Sequence, residues 1–178
     1  MNLEEIVSDV ELNFNTVGRS NYDAVKEMWV GNGVYAELVG FNFTNTSGWV
    51  NDKLLLQSGA SIVFDYAPLK NGATSRGKTI EFEFKPSHTS DDKAVLCDLI
   101  GNDGSGIKIT ASESKIISNE GSQLSVKYKS EENVRISFVI NKAEGVTNKG
   151  LVFVYVNGVL SGAMNFSESD DFTSERNL

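Results

Sequence analysis

Two glutamates at alternate positions, Glu81 and Glu83 in KTIEFEFKP (78–86), are the first candidates for chemistry. Residues two apart on a β-strand share a face, so the carboxylates would be neighbours. A retaining glycoside hydrolase uses two carboxylates about 5–5.5 Å apart as nucleophile and acid/base. The next alternate residue is Lys85, and acids on the polar face of an amphipathic strand are usually solvated surface. We therefore predict no catalytic residues and a protein that is not an enzyme.

The oxygen-rich segment GNDGSG (101–106) is the second candidate. Asp98, Asn102 and Asp103 offer the carboxylate and amide oxygens that Ca²⁺ prefers in proteins. The segment lacks a bidentate acid at the spacing of an EF-hand, and a Gly/Asn/Asp turn between two strands explains the same residues without an ion. We favour the turn, keep calcium as the alternative at these three residues, and predict no other cofactor.

Aromatic residues in polar loops are the third candidate, because they stack on the apolar faces of sugars. Trp49 lies in TNTSGWVND (44–52), and Asn45, Asn51 and Asp52 beside it could hydrogen-bond sugar hydroxyls. These four residues are the predicted ligand site. The alternative, which we favour, is that Trp49 packs into the edge of the core, as tryptophans at strand ends mostly do.

The chain has one histidine and one cysteine. His88 lies in the polar loop SHTSDD (87–92), where we expect it to be inert. Cys97 is predicted to be a small buried core residue on a central strand. A single cysteine excludes a disulfide framework and a multi-thiolate zinc site, and any Ser-His-Asp triad would depend on His88 alone.

The charge is distributed unevenly along the 178 residues, which carry a net −8. Residues 1–12 hold four acids and no base, and residues 168–178 hold four acids and one arginine, so the body between them is nearly neutral. The absence of a basic patch argues against nucleic acid and against an anionic membrane surface as partners. The apolar runs are too short to span a bilayer, and the acidic start is unlike a secretory signal, so we predict no membrane insertion and no signal peptide in the chain as given.

Apolar and polar residues alternate with a period of two along most of the chain, which predicts antiparallel strands with one wet face. The clearest strands are 78–86, 122–129 and 133–141. The segment 93–101 is apolar on both faces, so we place it centrally in a sheet.

Turn residues predict two hairpins. One joins 53–58 to 60–68 across Ser58-Gly59, and the other joins 150–156 to 159–166 across Asn157-Gly158, a dipeptide that tolerates the positive φ of a type I′ turn. The only helix candidate is 22–29, where Tyr22, Val25 and Trp29 fall at helical spacing, so we expect at most one short helix of one or two turns.

Six stretches together resemble a known family. They are GRSN (18–21), GFNFTNTSGWVND (40–52), GKTIEFEFKP (77–86), LIGNDGSGIKITAS (99–112), VKYKSEENVRISFVI (126–140) and VYVNGVLSGAMNFSESDDF (154–172). Their order and spacing are similar to the concanavalin A-like lectin/glucanase, or laminin-G-like, domain of bacteriophage tail and other virion structural proteins. The resemblance implies an all-β fold, a two-sheet antiparallel jelly-roll sandwich over residues 12–172. An acidic segment, 1–11, precedes it and a polar tail, 173–178, follows.

The resemblance also implies a function. Such domains are decoration or adhesion modules, so we expect a non-enzymatic part of a phage virion, in the tail or baseplate, made in the host cytoplasm. Its loops would face other virion subunits or a host-surface glycan. A stand-alone bacterial carbohydrate-binding lectin is the alternative. A glycoside hydrolase is third, since Glu81 and Glu83 lack the E-x-D-x-x-E pattern of glucanases with this fold.

The end of the chain departs from the family, whose members continue with a strand that closes the sandwich beside the N-terminal strand. Residues 167–178 are polar and carry no strand pattern. We expect that the domain is incomplete in this chain. The natural polypeptide would then be longer, or the closing strand would come from another chain.

Overall fold

The period-two alternation of the sequence forms strands throughout the described chain. A computed structural model describes residues 14–31, 34–64, 78–86, 95–101, 104–118, 121–129, 131–142 and 149–167. Within these ranges there is no helix, and every strand pairing is antiparallel. The predicted all-β class with antiparallel sheets is therefore confirmed. The acidic segment 1–11 and the tail 173–178 lie outside the described residues.

Thirteen strands occur in the described part of the chain. They are β1 (Met28–Gly31), β2 (Val34–Val39), β3 (Gly48–Val50), β4 (Lys53–Leu55), β5 (Ser61–Phe64), β6 (Lys78–Phe84), β7 (Val95–Ile100), β8 (Gly106–Thr110), β9 (Glu113–Ile117), β10 (Gln123–Lys127), β11 (Val134–Lys142), β12 (Lys149–Val156) and β13 (Val159–Ser167). None of the described residues forms a helix that is long and apolar enough to cross a bilayer. The chain divides into two compact units, unit 1 up to residue 66 and unit 2 from residue 67, and the prediction of one domain over 12–172 stays a prediction.

Unit 1 contains a three-stranded sheet, β1-β2-β5, and the hairpin β3-β4. Its core is built on Leu38, Phe41 and Trp49, all buried. Partly buried apolar side chains pack around these three, including Trp29 and Phe43. Two of the three buried residues of this core are aromatic, and two further aromatic residues pack against them.

Unit 2 contains two four-stranded sheets, β10-β9-β8-β7 and β13-β12-β11-β6. Alternate residues of β11 are fully buried, with Phe138 at their centre. Side chains from the two sheets meet: the rings of Phe84 and Tyr128 lie 5.5 Å apart edge to face, and Gly162 lies against Leu124. Two antiparallel sheets with facing apolar sides are compatible with a β-sandwich.

The hairpin β12–β13 confirms the turn predicted at Asn157-Gly158, since both residues have positive φ, 50° and 80°. Asn157 also fastens the turn to β11. Its Oδ1 accepts a hydrogen bond from the backbone N–H of Arg135 at 2.8 Å, and its own N–H donates to the Arg135 carbonyl at 2.7 Å. The asparagine is therefore fixed by its side chain as well as by its backbone conformation.

The helix candidate at 22–29 does not form a helix, which is consistent with the expected fold of at most one short helix. Residues 21–27 form a series of turns, and β1 begins at Met28. Turns closed by hydrogen bonds between residues three apart produce nearly the same side-chain spacing as a helix, which is why the apolar pattern suggested one.

The predicted hairpin between 53–58 and 60–68 is also wrong, because β4 pairs with β3 and β5 pairs with β2. The turn between β3 and β4 is Asn51-Asp52, where both residues have positive φ. Polar residues that tolerate this conformation close the hairpin one strand earlier than the sequence suggested.

The predicted central position of 93–101 is wrong for its described part, because β7 lies at the end of its sheet and pairs only with β8 among the described strands. Val95 and Leu96 are exposed, and the register shifts between Val95 and Cys97. Such an irregularity turns an apolar residue outward, so apolar residues on both faces did not mean that both faces are covered. Cys97 itself is buried and free, as predicted.

Candidate functional site

The segment of residues 16–27, here called the N-terminal loop, has a backbone fixed by its own turns. Asp23 N–H donates to the Ser20 carbonyl at 3.1 Å, and Met28 N–H donates to the Val25 carbonyl at 3.0 Å. The Asp23 carboxylate in turn accepts a hydrogen bond from Ser20 N–H at 3.0 Å. Short polar side chains that bond to nearby backbone hold such turns in one conformation.

Arg19 ties this loop to the core of unit 1. Its Nη2 donates to the carbonyls of Met28 at 2.6 Å and Val25 at 3.1 Å. The guanidinium carbon lies 4.6 Å from the centre of a Trp49 ring, a cation–π distance. Its Nε lies 3.4 Å from an oxygen of Asp23, an ion pair without hydrogen-bond geometry. One arginine therefore holds the C-terminal end of the turn series and also covers the indole of Trp49.

Asn21 makes the second connection. Its Nδ2 donates to the Thr44 carbonyl at 2.8 Å, and its Oδ1 accepts from Trp49 N–H at 2.7 Å. The approach requires glycine at position 48, where φ is +93° and an added Cβ would lie 2.5 Å from Asn21 Oδ1. The Gly-Trp dipeptide of the predicted ligand segment thus serves to join two loops.

Trp49 is 3% exposed, so the structure supports the core packing and corrects the prediction that its ring stacks on a sugar. The indole N–H donates to the Lys26 carbonyl at 2.7 Å, and the Trp29 ring lies 5.5 Å away at a steep angle. A ring covered by arginine and tryptophan does not offer a free face to a ligand.

The three polar residues predicted beside Trp49 are exposed. Asn45 lies in the turn closed by the pairing of Thr44 with Ser47. Asp52 accepts a hydrogen bond from Gly18 N–H at 2.8 Å through its carboxylate, so it braces the N-terminal loop. Asn51 occupies the β3–β4 turn. The four predicted residues do not form one surface with the indole as its platform.

Three apolar side chains of the N-terminal loop are exposed instead: Tyr22 at 96%, Val17 at 74% and Val25 at 60%. Tyr22 and Val25 drew attention in the sequence only through their helical spacing, and Val17 was not singled out. The usable signal was Ser20-x-x-Asp23 within GRSNYD, a spacing at which the aspartate can accept from the serine N–H and close a turn. Apolar side chains exposed on an ordered loop are available for contact with a partner.

The proposed calcium residues are only partly described, since Asn102 and Asp103 lie outside the described residues. Asp98 Oδ1 accepts from Ile100 N–H at 3.1 Å, and Oδ2 lies 3.5 Å from the Lys108 ammonium. The turn is closed by Gly101 N–H donating to the Ser105 carbonyl at 2.8 Å. The described residues contain no group of three or more His, Cys, Asp or Glu that could hold a metal ion. Calcium stays a prediction.

Glu81 and Glu83 share the outer face of β6, where Glu83 lies opposite Arg135 in the register with β11. Glu81 accepts hydrogen bonds from Arg135 Nε at 2.8 Å and from Ser137 Oγ at 2.6 Å. Partial burial acts to raise the pKa of Glu81, but the bonds from Ser137 and Arg135 and the arginine charge outweigh it, so its pKa lies below the ordinary value. A lowered pKa is the opposite of what a general acid at neutral pH needs.

The thiol of Cys97 is not in a reactive state. Burial, with a smaller effect from the charge of Asp98, raises the pKa of its thiol to about 12. The thiolate is the reactive form, so this side chain is inert near neutral pH. His88 lies outside the described residues.

Comparisons with protein-family models, with curated proteins and with solved structures returned no match. The likeness to concanavalin A-like domains therefore stays a prediction. The strongest functional feature of the described residues is the N-terminal loop with its three exposed apolar side chains.

Proposed function

We propose that the protein is a non-enzymatic structural and adhesion module of a bacteriophage virion, in the tail or baseplate, and that it contacts its partner through the N-terminal loop. The observation that carries the binding role is the exposure of Tyr22, Val17 and Val25 on a loop whose backbone is fully braced. The six stretches that resemble virion domains support the location.

The loop is suited to binding because contacts within unit 1 already hold its backbone in one conformation. Arg19, Asn21 and Asp52 hold its backbone without using the three exposed side chains. Association then orders few further groups, so little of the free energy gained by burying these side chains is lost to ordering them. Tyrosine supplies a large contact area with only two side-chain torsions, which is why it is common at energetic centres of interfaces.

The ionisable side chains support the non-enzymatic part of the proposal. Glu81, the best acid candidate, is held ionised by Arg135 and Ser137. Cys97 is held protonated by burial. An ionised Glu81 cannot serve as a general acid near neutral pH, and a protonated Cys97 cannot serve as a nucleophile there.

The proposal is tested first by location. Virions of the phage that encodes the chain are purified on a density gradient and digested, and peptides of this chain are sought by mass spectrometry. We expect them in the particle fraction at a constant ratio to other tail proteins. Their absence from intact particles would refute the virion assignment.

The loop is tested by binding of the purified protein to those particles after removal of its own copies, and to a glycan array. We expect Tyr22→Ser to weaken binding to the particles about thirtyfold or more, since hot-spot truncations cost about 2 kcal/mol or more. The control Val159→Ser changes another highly exposed apolar residue, on the β12–β13 hairpin, and should leave binding intact.

Other outcomes favour other functions. Saccharide binding lost in Tyr22→Ser, without particle binding, would favour the lectin alternative. Release of reducing sugar from a β-glucan would overturn the non-enzymatic proposal. Equal particle binding by the wild type and by Tyr22→Ser would contradict the role given to the N-terminal loop.

A further inference from the structure

The outer face of the sheet β1-β2-β5 is apolar, although an exposed sheet face is usually polar. On the central strand β2, Ala36 and Leu38 point into the core, so Tyr35 and Val39 point outward. Val30 lies directly opposite Tyr35 on β1. We call the four exposed residues the outer apolar face: Val30, Tyr35, Val39 and Val63, with exposed fractions between 43% and 55%.

One acidic residue interrupts this face. Glu37 lies on β2 between Tyr35 and Val39, and its register partners are Met28 on β1 and Val63 on β5. Its carboxylate is exposed and makes no ion pair or side-chain hydrogen bond with any residue that the structure describes. A single negative charge therefore lies among outward side chains that are apolar except for Ser61 on β5.

We propose that the outer apolar face is the docking site of a partner protein that presents an apolar surface with one lysine or arginine placed to pair with Glu37. Charge complementarity defines this partner: the apolar ring excludes water around the carboxylate, so an opposing cation gains more there than on an open surface. The inference is independent of the N-terminal loop, because it uses none of that loop's side chains.

The position of Glu37 also disfavours other occupants. A symmetric pair of this chain packed face to face about the middle strand would place the two Glu37 carboxylates against each other, and like charges at an interface are strongly unfavourable. A phosphate-bearing surface would meet the same repulsion. A partner with an apolar surface and one basic residue can cover the apolar side chains and pair with the Glu37 carboxylate.

The test uses two synthetic strand peptides that alternate valine and threonine and differ only at the centre of the valine face, lysine in one and glutamate in the other. Binding to the full chain is followed by methyl NMR of its valines. We expect the lysine peptide to shift the methyl signals of Val30, Val39 and Val63, and to bind about tenfold more tightly than the glutamate peptide, as one well-placed ion pair allows.

Variants of the chain sharpen the test. Glu37→Lys should reverse the preference between the two peptides. Val39→Thr, which keeps the shape of the side chain, should weaken both peptides while leaving the unfolding curve unchanged. The matched control Val159→Thr, at an exposed valine of the β12–β13 hairpin, should change neither binding nor preference.

Four binding or association results would overturn the proposal, and one stability result would do the same. The four are no binding of the lysine peptide, equal binding of both peptides, shifts confined to valines outside the outer apolar face, and a concentration-dependent dimer in sedimentation that Glu37→Lys abolishes. The last result would assign the face to a second copy of the chain. A lower unfolding midpoint in Val39→Thr would show that the chain itself covers the face, and would equally refute a partner protein.

Discussion

Replacing Arg19 by alanine should loosen the N-terminal loop and destabilise unit 1. The substitution removes two donors to the carbonyls of Met28 and Val25 and the cation that covers Trp49. A hydrogen bond contributes about 0.5–1.5 kcal/mol net, and more when one partner is charged. A cation–π contact adds about 0.5–1 kcal/mol. The lost carbonyls can partly hydrate, so we expect about 3 kcal/mol in total.

Intrinsic fluorescence during urea unfolding measures this effect directly, because both tryptophans of the chain, Trp29 and Trp49, lie in unit 1. With a denaturant slope of about 2 kcal/mol per molar urea, the midpoint of Arg19→Ala should fall by about 1.5 M. The native emission should also move to longer wavelength as Trp49 loses its cover.

Two further variants separate the causes. Arg19→Lys keeps the charge over the indole but cannot donate in a fixed fork to two carbonyls, so its midpoint should fall about half as far. Arg135→Ala removes an exposed arginine of unit 2 and should leave the tryptophan transition almost unchanged. A fall of less than about 0.3 M in Arg19→Ala, with unmoved emission, would refute the bracing role derived for this residue.

Three other predictions follow from unit 2. The pKa of Glu81 is lower in the folded chain than its ordinary value of 4.5, so the stability it contributes is complete above about pH 4.5 and is lost as the pH falls through the lowered pKa. Glu81→Gln should therefore unfold at less urea than the wild type at pH 7, a difference that should shrink as the pH drops to 3, and a constant difference would contradict the pairing. Gly106→Ala should destabilise by about 3 kcal/mol or more in thermal and urea unfolding, because φ is +144° and a Cβ would collide with the Leu99 carbonyl. Gly104→Ala, with φ +85° and open space, should cost only about 1 kcal/mol, so equal losses would argue against the collision. Cys97 should not react with a thiol reagent such as Ellman's at pH 8 in the folded protein and should react fully in denaturing urea, since its pKa is about 12; rapid labelling of the native chain would disprove its burial.

The strands of unit 2 were largely predictable because their information is local. Alternation alone located β6, β10 and β11, and Asn157-Gly158 located the β12–β13 turn. The side-chain bond from Asn157 to Arg135 joins residues 22 apart, so no local pattern contained it. Sequence reasoning thus found the hairpin without finding what anchors it.

Unit 1 was predicted less well because long-range pairings decide its arrangement. β5 pairs with β2 across two intervening strands, and the apparent hairpin at Ser58-Gly59 does not exist. Tyr22 and Val25 suggested a short helix because three-residue spacing does not distinguish a helix from successive turns. Arg19, which lies outside the segment 22–29, donates hydrogen bonds to the carbonyls of Val25 and Met28 and so stabilises the turns.

The candidate site likewise has one feature that the local sequence indicated and others that depend on long-range contacts. The sequence correctly offered core packing as the alternative for Trp49, since its size and position favoured burial. It could not show that Asn21 and Asp52 brace a neighbouring loop, because both bonds link segments about 30 residues apart. The exposed Tyr22 is next to Asn21 in the chain, so its position depends on contacts that no local pattern contains.

The hydrogen bonds between Asn157 and Arg135 affect how readily the β12–β13 turn deamidates. An Asn-Gly pair on a surface turn is the sequence most prone to deamidation, in which the glycine nitrogen attacks the asparagine side-chain carbonyl carbon and ammonia leaves. In this hairpin the carbonyl oxygen of Asn157 is bonded to Arg135 N–H, and the asparagine N–H is bonded to the Arg135 carbonyl. The bond to the side-chain oxygen must break before the side chain can turn toward Gly158, and the backbone bond holds the residue in its turn conformation. Strand β11 therefore protects the Asn157-Gly158 turn, and the folded hairpin should keep its asparagine long after the unfolded chain has lost it.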